Sequence, residues 1–246
     1  MALLALEHVS KSFGGVRANY DVSLDVNEGE IVGLIGPNGS GKTTIFNSIT
    51  GYYPIDSGSI RFADREISQL RVPSIAQLGL IRTFQQTRVY RKMTCVQNML
   101  ISTPVSDLGL SAMLRQPRAD ETERALGLLA FVGLASFRDR RAGELSFGQQ
   151  RLLEFAMALM RRPRLLLLDE PTAGINPTLI NGVIDRLQRA NAQFGVTLLV
   201  IEHNMRVIMN LAHRIYCLAH GEILASGSPQ AVRDDPRVID AYLGAH

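Results

Sequence analysis

The first residues that suggest chemistry form the run GPNGSGKTT, which fits the pattern GxxxxGK[ST] and continues with a second threonine. Glycines at this spacing let successive backbone N–H groups turn toward one anion, and a helix that starts here adds positive potential. The lysine can reach phosphate oxygens, and a threonine hydroxyl can ligate Mg²⁺. The pattern predicts a phosphate-binding loop, called the phosphate loop below, formed by Gly36, Pro37, Asn38, Gly39, Ser40, Gly41, Lys42, Thr43 and Thr44.

A second pair of chemical residues, Asp169 and Glu170, follows four consecutive leucines. Alone, this pair could be a helix N-terminal cap. Together with the phosphate loop, it indicates a site that hydrolyses a nucleotide, with Lys42 on the β and γ oxygens. We then expect Asp169 to face Mg²⁺ together with Thr43, and Glu170 to polarise the attacking water, since phosphoryl transfer depends on positioning and charge stabilisation.

Both groups stand at the ends of predicted buried strands. Ile31–Ile35 is a continuous apolar run that leads into the phosphate loop, and a helical pattern runs from residue 42 to about residue 50. Residues 165–168 and 196–201 are two further apolar runs, separated by a helical pattern at about 177–194. Because parallel sheets present ligands at the carboxyl ends of their strands, these strands can bring the two groups together.

The flanking regions have different patterns. Residues 3–9 and 22–26 favour short strands near the N-terminus, and residues 215–218 and 222–225 favour two more near the C-terminus. The middle, roughly residues 86–141, has few β-branched runs and contains helix-like stretches, which predicts a helical lobe.

Composition excludes several other classes of protein. The 246 residues are 46% hydrophobic and 20% charged, with no low-complexity segment, which is typical of a globular protein. The net charge of +3 is spread along the chain, so a solvated surface is favoured over a nucleic-acid or acidic-lipid footprint. Two distant cysteines indicate neither a zinc site nor a disulfide framework, and no apolar run is long enough to cross a bilayer.

The order of three segments resembles the ATPases of the ABC family over essentially the whole chain. They are the phosphate loop, the sequence LSFGQQ at residues 145–150, called the signature segment below, and residues 165–171. Alone, the signature segment could be only a helix start capped by Ser146. Its place just before the second carboxylate strand is typical of ABC proteins. The resemblance implies contacts with the ATP of a second subunit from Ser146, Phe147, Gly148 and Gln149, although many members have glycine in place of Phe147.

The resemblance assigns three more positions. Gln85 corresponds to the glutamine that senses Mg²⁺ and the attacking water, and Gln86 leaves a one-residue ambiguity. His203 corresponds to the switch histidine that contacts the γ-phosphate; by its residue type alone it would be structural. Phe13 would stack on adenine, with a plain core aromatic as the alternative.

A loop between the subunits is implied as well. Gly174 and Asn176 belong to a segment that ends in aspartate in many members. Asn176 can still form hydrogen bonds but lacks the charge of aspartate. The role of this loop in coupling the two subunits is therefore the part of the resemblance that transfers least directly. No residue needed for hydrolysis is missing.

The fold implied is α/β: a P-loop NTPase core of mixed sheet flanked by helices, with an inserted α-helical subdomain and an N-terminal antiparallel β portion. Residues 1–246 are expected to form a single ABC ATPase domain. The helical subdomain is expected at about residues 86–160, inserted in a RecA-like core, and a short helical tail at about residues 227–246.

The function implied is that of the ATP-binding and ATP-hydrolysing subunit of an ABC transporter, with ATP and Mg²⁺ as ligands. Its expected partners are a second ATPase subunit, identical or a sister chain, transmembrane permease subunits and, indirectly, a solute-binding protein, with no nucleic acid. The expected location is peripheral, on the cytoplasmic face of the inner membrane.

Shorter segments, such as DEPTAGINP and VIEHNM, are similar to those of the ATPases of bacterial branched-chain amino-acid importers. This likeness implies that the chain powers the uptake of branched-chain or other amino acids. The alternatives are a urea or amide importer, lipopolysaccharide export, a non-transport ABC ATPase and a nucleotide-binding scaffold without turnover.

Overall fold

The computed structural model describes residues 2–83, 89–103 and 117–243, in which ten strands and nine helices occur. The strands are β1 (Ala2–Phe13), β2 (Val16–Asn27), β3 (Ile31–Ile35), β4 (Ser57–Phe62), β5 (Arg65–Glu66), β6 (Leu80–Arg82), β7 (Leu165–Asp169), β8 (Thr197–Ile201), β9 (Arg214–Ala219) and β10 (Glu222–Gly227). The helices are α1 (Lys42–Ile49), α2 (Val72–Gln77), α3 (Cys95–Ile101), α4 (Ala119–Phe131), α5 (Phe147–Met160), α6 (Pro177–Phe194), α7 (Met205–Leu211), α8 (Pro229–Arg233) and α9 (Pro236–Leu243).

The strands form two sheets. The smaller one is antiparallel with the order β2-β1-β4-β5, and the larger one has the order β10-β9-β3-β8-β7-β6. In the larger sheet, strands β9, β3, β8, β7 and β6 are parallel, while β10 adds an antiparallel edge. This arrangement confirms the predicted α/β fold of mixed sheet, flanking helices and N-terminal antiparallel portion.

The central strands are mostly apolar because both of their faces are covered. Every residue of β3, β7 and β8 is buried. One apolar core lies between the two sheets and includes Phe46 of α1 and Phe62 of β4, both fully buried. A second core lies on the other face of the larger sheet, under α6 and the helices of the middle region.

Helices α3, α4 and α5 pack against one another as a helical lobe. Two short 3₁₀ turns, Ala135–Phe137 and Ala142–Glu144, connect α4 to α5. The order of elements agrees with a helical middle region placed between β6 and β7. The subdomain limits at about residues 86 and 160 remain a prediction.

Two further predictions concern membrane crossing and the cysteines. None of the helices within the described ranges is long and apolar enough to cross a membrane. Cys95 and Cys217 are free and buried. Burial raises the pKa of both thiols, that of Cys217 to about 11.

Candidate functional site

The phosphate loop connects β3 to α1 and depends on glycines where the backbone is crowded. Gly36 has φ of 147°, and a Cβ atom there would lie 2.0 Å from the carbonyl oxygen of Leu218. Gly41 has φ of 103°, and its Cβ would lie 2.3 Å from the carbonyl oxygen of Ala18. The loop is therefore packed between β9 and β2, and only glycine fits at these two points.

Lys42, the first residue of α1, directs its ammonium group back into the loop. Its Nζ donates hydrogen bonds to the carbonyl oxygens of Gly36 and Pro37, at 2.8 and 2.9 Å. Burial lowers the pKa of Lys42, an effect that the charges of Glu170 and Asp169 partly oppose. The lysine and the two carboxylates thus share one site, as the sequence predicts. The neighbouring Thr43 is exposed at the start of the helix.

Asp169 is the last residue of β7, and its carboxylate is held by an arginine that the sequence analysis did not identify. Arg82, at the end of β6, donates from Nη2 to Oδ2 of Asp169 at 2.7 Å and from Nη1 to Oδ1 of Asn47 at 2.6 Å. The side chains of Arg82 and Asp169 are only 9% and 6% exposed. A charged residue at the carboxyl end of the strand beside β7 is the sequence signal that could have identified Arg82.

Glu170 and His203 are in direct contact. His203 Nε2 lies 2.7 Å from Oε1 of Glu170. Glu170 has φ of 49°, in the left-handed region that non-glycine residues rarely occupy, and its N–H donates to the carbonyl oxygen of Ile201. Strained backbone of this kind is frequent at functional sites, where the surrounding structure holds it in place. Here it turns the carboxylate toward the histidine that follows β8.

A second carboxylate, Glu202, connects the loops after β7 and β8, and it was also missed. Glu202 is 3% exposed, and Oε1 accepts hydrogen bonds from the backbone N–H and the hydroxyl of Thr172. Its Oε2 accepts from the N–H groups of His203 and Asn204, at 3.1 and 3.3 Å. The loop after Glu170 and the turn that carries His203 are therefore fastened to the same carboxylate.

Phe13 ends β1 on the hairpin whose second strand packs against Gly41. Its ring is 43% exposed, makes an edge contact with Tyr53 at a centroid distance of 5.0 Å, and has the ammonium of Lys11 5.3 Å from its centroid. An exposed aromatic face near the phosphate loop suits stacking of a flat ring better than a core position does. Adenine stacking by Phe13 remains a prediction.

The signature segment opens α5. The Ser146 hydroxyl accepts from the N–H of Gln149, and the Gln149 side chain accepts from the N–H of Ser146, a reciprocal capping box. Ser146 and Phe147 are exposed, with 46% of Phe147 accessible, and Gly148 is half-buried. The segment is therefore both a helix cap and a surface that a second molecule can reach.

Phe147 also contacts the segment predicted to lie between subunits. A Cβ atom on Gly174, whose φ is 73°, would lie 2.9 Å from the Phe147 ring. The side-chain oxygen of Asn176 accepts from the N–H of Thr178 and caps α6. Asparagine and aspartate both perform this capping well, so the missing charge at position 176 does not disturb the helix start.

Gln85 and Gln86 lie outside the described residues. Of the other predicted residues, Lys42, Asp169, Glu170 and His203 come together at the carboxyl ends of β3, β7 and β8. The signature segment begins a helix of the middle lobe.

Comparison with known proteins agrees with this arrangement. A family model described as ABC transporter matches residues 20–173, the span from β2 to the loop after β7. This chain belongs to the ABC transporter family. A separate model, described as branched-chain amino acid ATP-binding cassette transporter, matches residues 222–246 of this ABC ATPase.

Full-length relatives support the same assignment. The ABC ATPase is 39% identical to the high-affinity branched-chain amino acid transport ATP-binding protein LivG of Salmonella typhimurium, covering 98% of both chains. It is also 39% identical to the protein of the same description, BraF, of Pseudomonas aeruginosa, again over 98% of both chains. Like other transport ATP-binding proteins of its family, it is an ATP hydrolase.

Solved structures also match over most of the chain. The ADP conformation of MJ1267, an ATP-binding cassette of an ABC transporter, aligns with a TM-score of 0.88 and 34% identity over 99% of both chains. A dimeric cassette, MJ0796 bound to ADP and Pi in a post-hydrolysis state, aligns with a TM-score of 0.76 and 25% identity over 92% of this chain and 98% of that one.

Proposed function

We propose that this chain powers uptake of branched-chain amino acids, as the ATP-hydrolysing subunit of a membrane importer. The observation that carries the catalytic part is the contact between Glu170 and His203 next to Lys42 and Asp169. Glu170 acts as the acceptor that polarises the attacking water, and His203 fixes the direction of the carboxylate. The contact distance of 2.7 Å supports this division of roles.

ATP binds through the phosphate loop, with Lys42 exchanging its contacts to the Gly36 and Pro37 carbonyls for the β and γ oxygens. Burial lowers the pKa of the Lys42 ammonium, and the negative charge of the ATP phosphates stabilises its protonated form. The backbone N–H groups of the loop and the start of α1 supply the remaining positive potential. Phe13 supports the adenine ring from the neighbouring hairpin.

The residues around Asp169 fit Mg²⁺. A carboxylate and a threonine hydroxyl are hard oxygen donors, and Mg²⁺ completes its shell with water and substrate phosphates. Thr43, Asp169 and Gln85 would hold the ion, which when bound neutralises developing charge on the phosphates. In the structure, Arg82 contacts one carboxylate oxygen of Asp169 and so keeps it in the required direction.

Two ATPase subunits are needed for a complete site. Lys42, Asp169 and Glu170 belong to one subunit, and residues 146–149 of the other, of which Ser146 and Phe147 are exposed, reach the γ-phosphate. Gly174 and Asn176 lie at the boundary between them. ATP closes the pair and hydrolysis opens it, which moves the transmembrane permease subunits on which the pair sits at the cytoplasmic face. A solute-binding protein delivers the cargo from outside.

Branched-chain amino acids are the proposed cargo because two comparisons point to them. The C-terminal residues 222–246 match a model described by that transport class, and the full-length relatives carry the same description. The cargo does not contact this subunit, so this assignment depends on likeness to those proteins.

The test replaces the natural chain in its source cells with a tagged Glu170→Gln variant. The carboxamide keeps the size of the side chain and cannot accept the proton of the water, so we expect ATP hydrolysis to fall at least about 100-fold. Uptake of labelled leucine should fall to background. Permease subunits should still copurify from detergent-solubilised membranes. Glu123→Gln, an exposed glutamate of α4, is the matched control and should leave both activities unchanged.

Three outcomes would contradict the proposal. Hydrolysis unaffected by Glu170→Gln would remove Glu170 from catalysis. An active ATPase that copurifies with no membrane protein would favour a non-transport ABC ATPase. Intact leucine uptake together with lost urea uptake would replace the proposed cargo by urea or amides.

A further inference from the structure

The C-terminal helix α9 reaches the phosphate loop through one tyrosine. The hydroxyl oxygen of Tyr242 accepts a hydrogen bond from the backbone N–H of Gly36, at 2.8 Å. The two residues are 206 positions apart in the chain. The Tyr242 ring is half-buried and packs against the core under the larger sheet, and Val238, one turn earlier, is buried. The hydroxyl is therefore held in position by the packing of the helix.

Gly36 is the residue at which the phosphate loop leaves β3. Its carbonyl oxygen accepts from Nζ of Lys42, and its N–H donates to Tyr242, so both backbone polar groups of Gly36 have partners in the structure. Its conformation is already restricted, because Leu218 leaves no room for a side chain. If Lys42 turns to phosphate, the carbonyl contact is lost and the bond to Tyr242 continues to hold the entry of the loop.

Beyond Gly36 the loop and α9 separate. A cavity of about 310 Å³ lies between them, lined by Asn38, Gly39 and Ser40 on one side and by Asp240 and Ala241 on the other. The tip of the loop thus has free space on the side of α9. A contact at Gly36 is accordingly well placed to limit movement of the loop into that space.

The hydroxyl stays protonated over the physiological range. Burial raises the pKa of Tyr242 to about 12. An ionised phenolate would be a stronger acceptor but would carry a buried charge beside the phosphates. The neutral phenol accepts the Gly36 N–H without opposing the negative charge of ATP.

We propose that Tyr242 is a positioning residue for ATP binding, which acts through Gly36 and makes the C-terminal helix part of the phosphate site. The inference rests on the proposed role of residues 36–44 in binding ATP. According to this inference, α9 contributes to the affinity for ATP and not to the hydrolysis step at Glu170.

The experiment compares Tyr242→Phe with the natural chain. Phenylalanine keeps the ring and its packing and removes only the hydroxyl. We expect the KM for ATP and the Kd for a fluorescent ATP analogue to rise about fivefold to tenfold, the usual effect of one lost hydrogen bond, with kcat within about twofold. The assigned amide resonance of Gly36 should shift upfield in ¹⁵N-glycine-labelled protein. Tyr90→Phe, at an exposed tyrosine of the middle region, is the matched control.

A second variant distinguishes the effect of the Tyr242 hydroxyl from that of weaker packing of α9. Val238→Ala removes buried apolar contact from the same helix and leaves the hydroxyl in place, so it should lower the Tm with little change in KM. Equal KM values for Tyr242→Phe and the natural chain would overturn the inference. The inference would also be overturned if KM rose in proportion to the loss of Tm in both Tyr242→Phe and Val238→Ala. Failure of the natural chain itself to bind the ATP analogue would instead refute the proposed function.

Discussion

At the scale of single residues, Arg82 and Asp169 form a buried ion pair in the site. Both side chains are nearly inaccessible, and Arg82 also reaches Asn47 of α1. A buried carboxylate that loses its partner is left with an uncompensated charge, which is far more destabilising than loss of a surface ion pair. Arg82 therefore stabilises the fold and directs Asp169 at the same time.

We expect Arg82→Met to lower the free energy of unfolding by about 3 kcal/mol, because methionine fills similar space without pairing the carboxylate. Urea denaturation followed by circular dichroism measures the change. Arg65→Met, at an exposed arginine of β5, is the control and should change stability by less than about 0.5 kcal/mol. An unchanged urea midpoint for Arg82→Met would show that Asp169 does not depend on this arginine.

Sequence reasoning identified the phosphate loop and missed Arg82 and Tyr242, whose partners are distant in the chain. The phosphate loop is contiguous, so its chemistry can be interpreted from one local pattern. Arg82 meets Asp169 across 87 positions, and an arginine at the end of a three-residue strand has the pattern of a solvated residue. Tyr242 was missed for the same reason, since nothing near it in sequence indicates contact with Gly36.

At the scale of elements, Glu202 determines how two loops of the site sit relative to each other. It accepts from Thr172, after β7, and from His203 and Asn204, after β8. The distance between Glu170 and His203 depends on both loops. A single buried carboxylate thus fastens both loops that carry the catalytic pair.

We expect Glu202→Gln to lower the free energy of unfolding by about 2 kcal/mol, because hydrogen bonds to a charged acceptor are lost and the amide NH₂ faces backbone donors. The kcat for ATP should fall as the turn that carries His203 relaxes. Denaturation and steady-state ATPase assays measure the two effects, with Glu123→Gln as control. Full stability together with full activity would exclude this role for Glu202.

Strands could be predicted from the sequence where every residue of the strand is buried. The fully buried strands β3, β7 and β8 were located from sequence within a residue because both of their faces are covered. Strands β1 and β2 extend beyond the predicted residues 3–9 and 22–26, since their outer ends are exposed and lose the apolar pattern while the backbone pairing continues. The exposed two-residue strand β5 carries no apolar signal at all.

At the scale of the whole molecule, the surface that carries Ser146 and Phe147 is exposed and lies on the lobe that follows β6. The proposed function requires this surface to meet the phosphate loop of another subunit. Family membership supports a pair, and the matched cassette MJ0796 is a dimer.

We expect Glu170→Gln to form a stable dimer in ATP, because ATP then holds the two subunits together without being cleaved. Light scattering coupled to size exclusion should give twice the 27.1 kDa mass of the chain. Adding Ser146→Arg, which places a bulky charge on the signature segment, should return the protein to monomer. If the double variant stays dimeric, the interface lies elsewhere. If the single variant Glu170→Gln is monomeric in ATP, the partner is a sister subunit.

The burial of both cysteines has a practical consequence for measuring such movements. Thiol reagents attack the thiolate, and the raised pKa values of Cys95 and Cys217 keep both thiols protonated as well as inaccessible. A cysteine introduced at an exposed position, such as Asn38 in the phosphate loop or Phe147 in the signature segment, would react far faster than either. The natural sequence is thus a ready background for spin labels, fluorophores and crosslinkers that report the approach of two subunits.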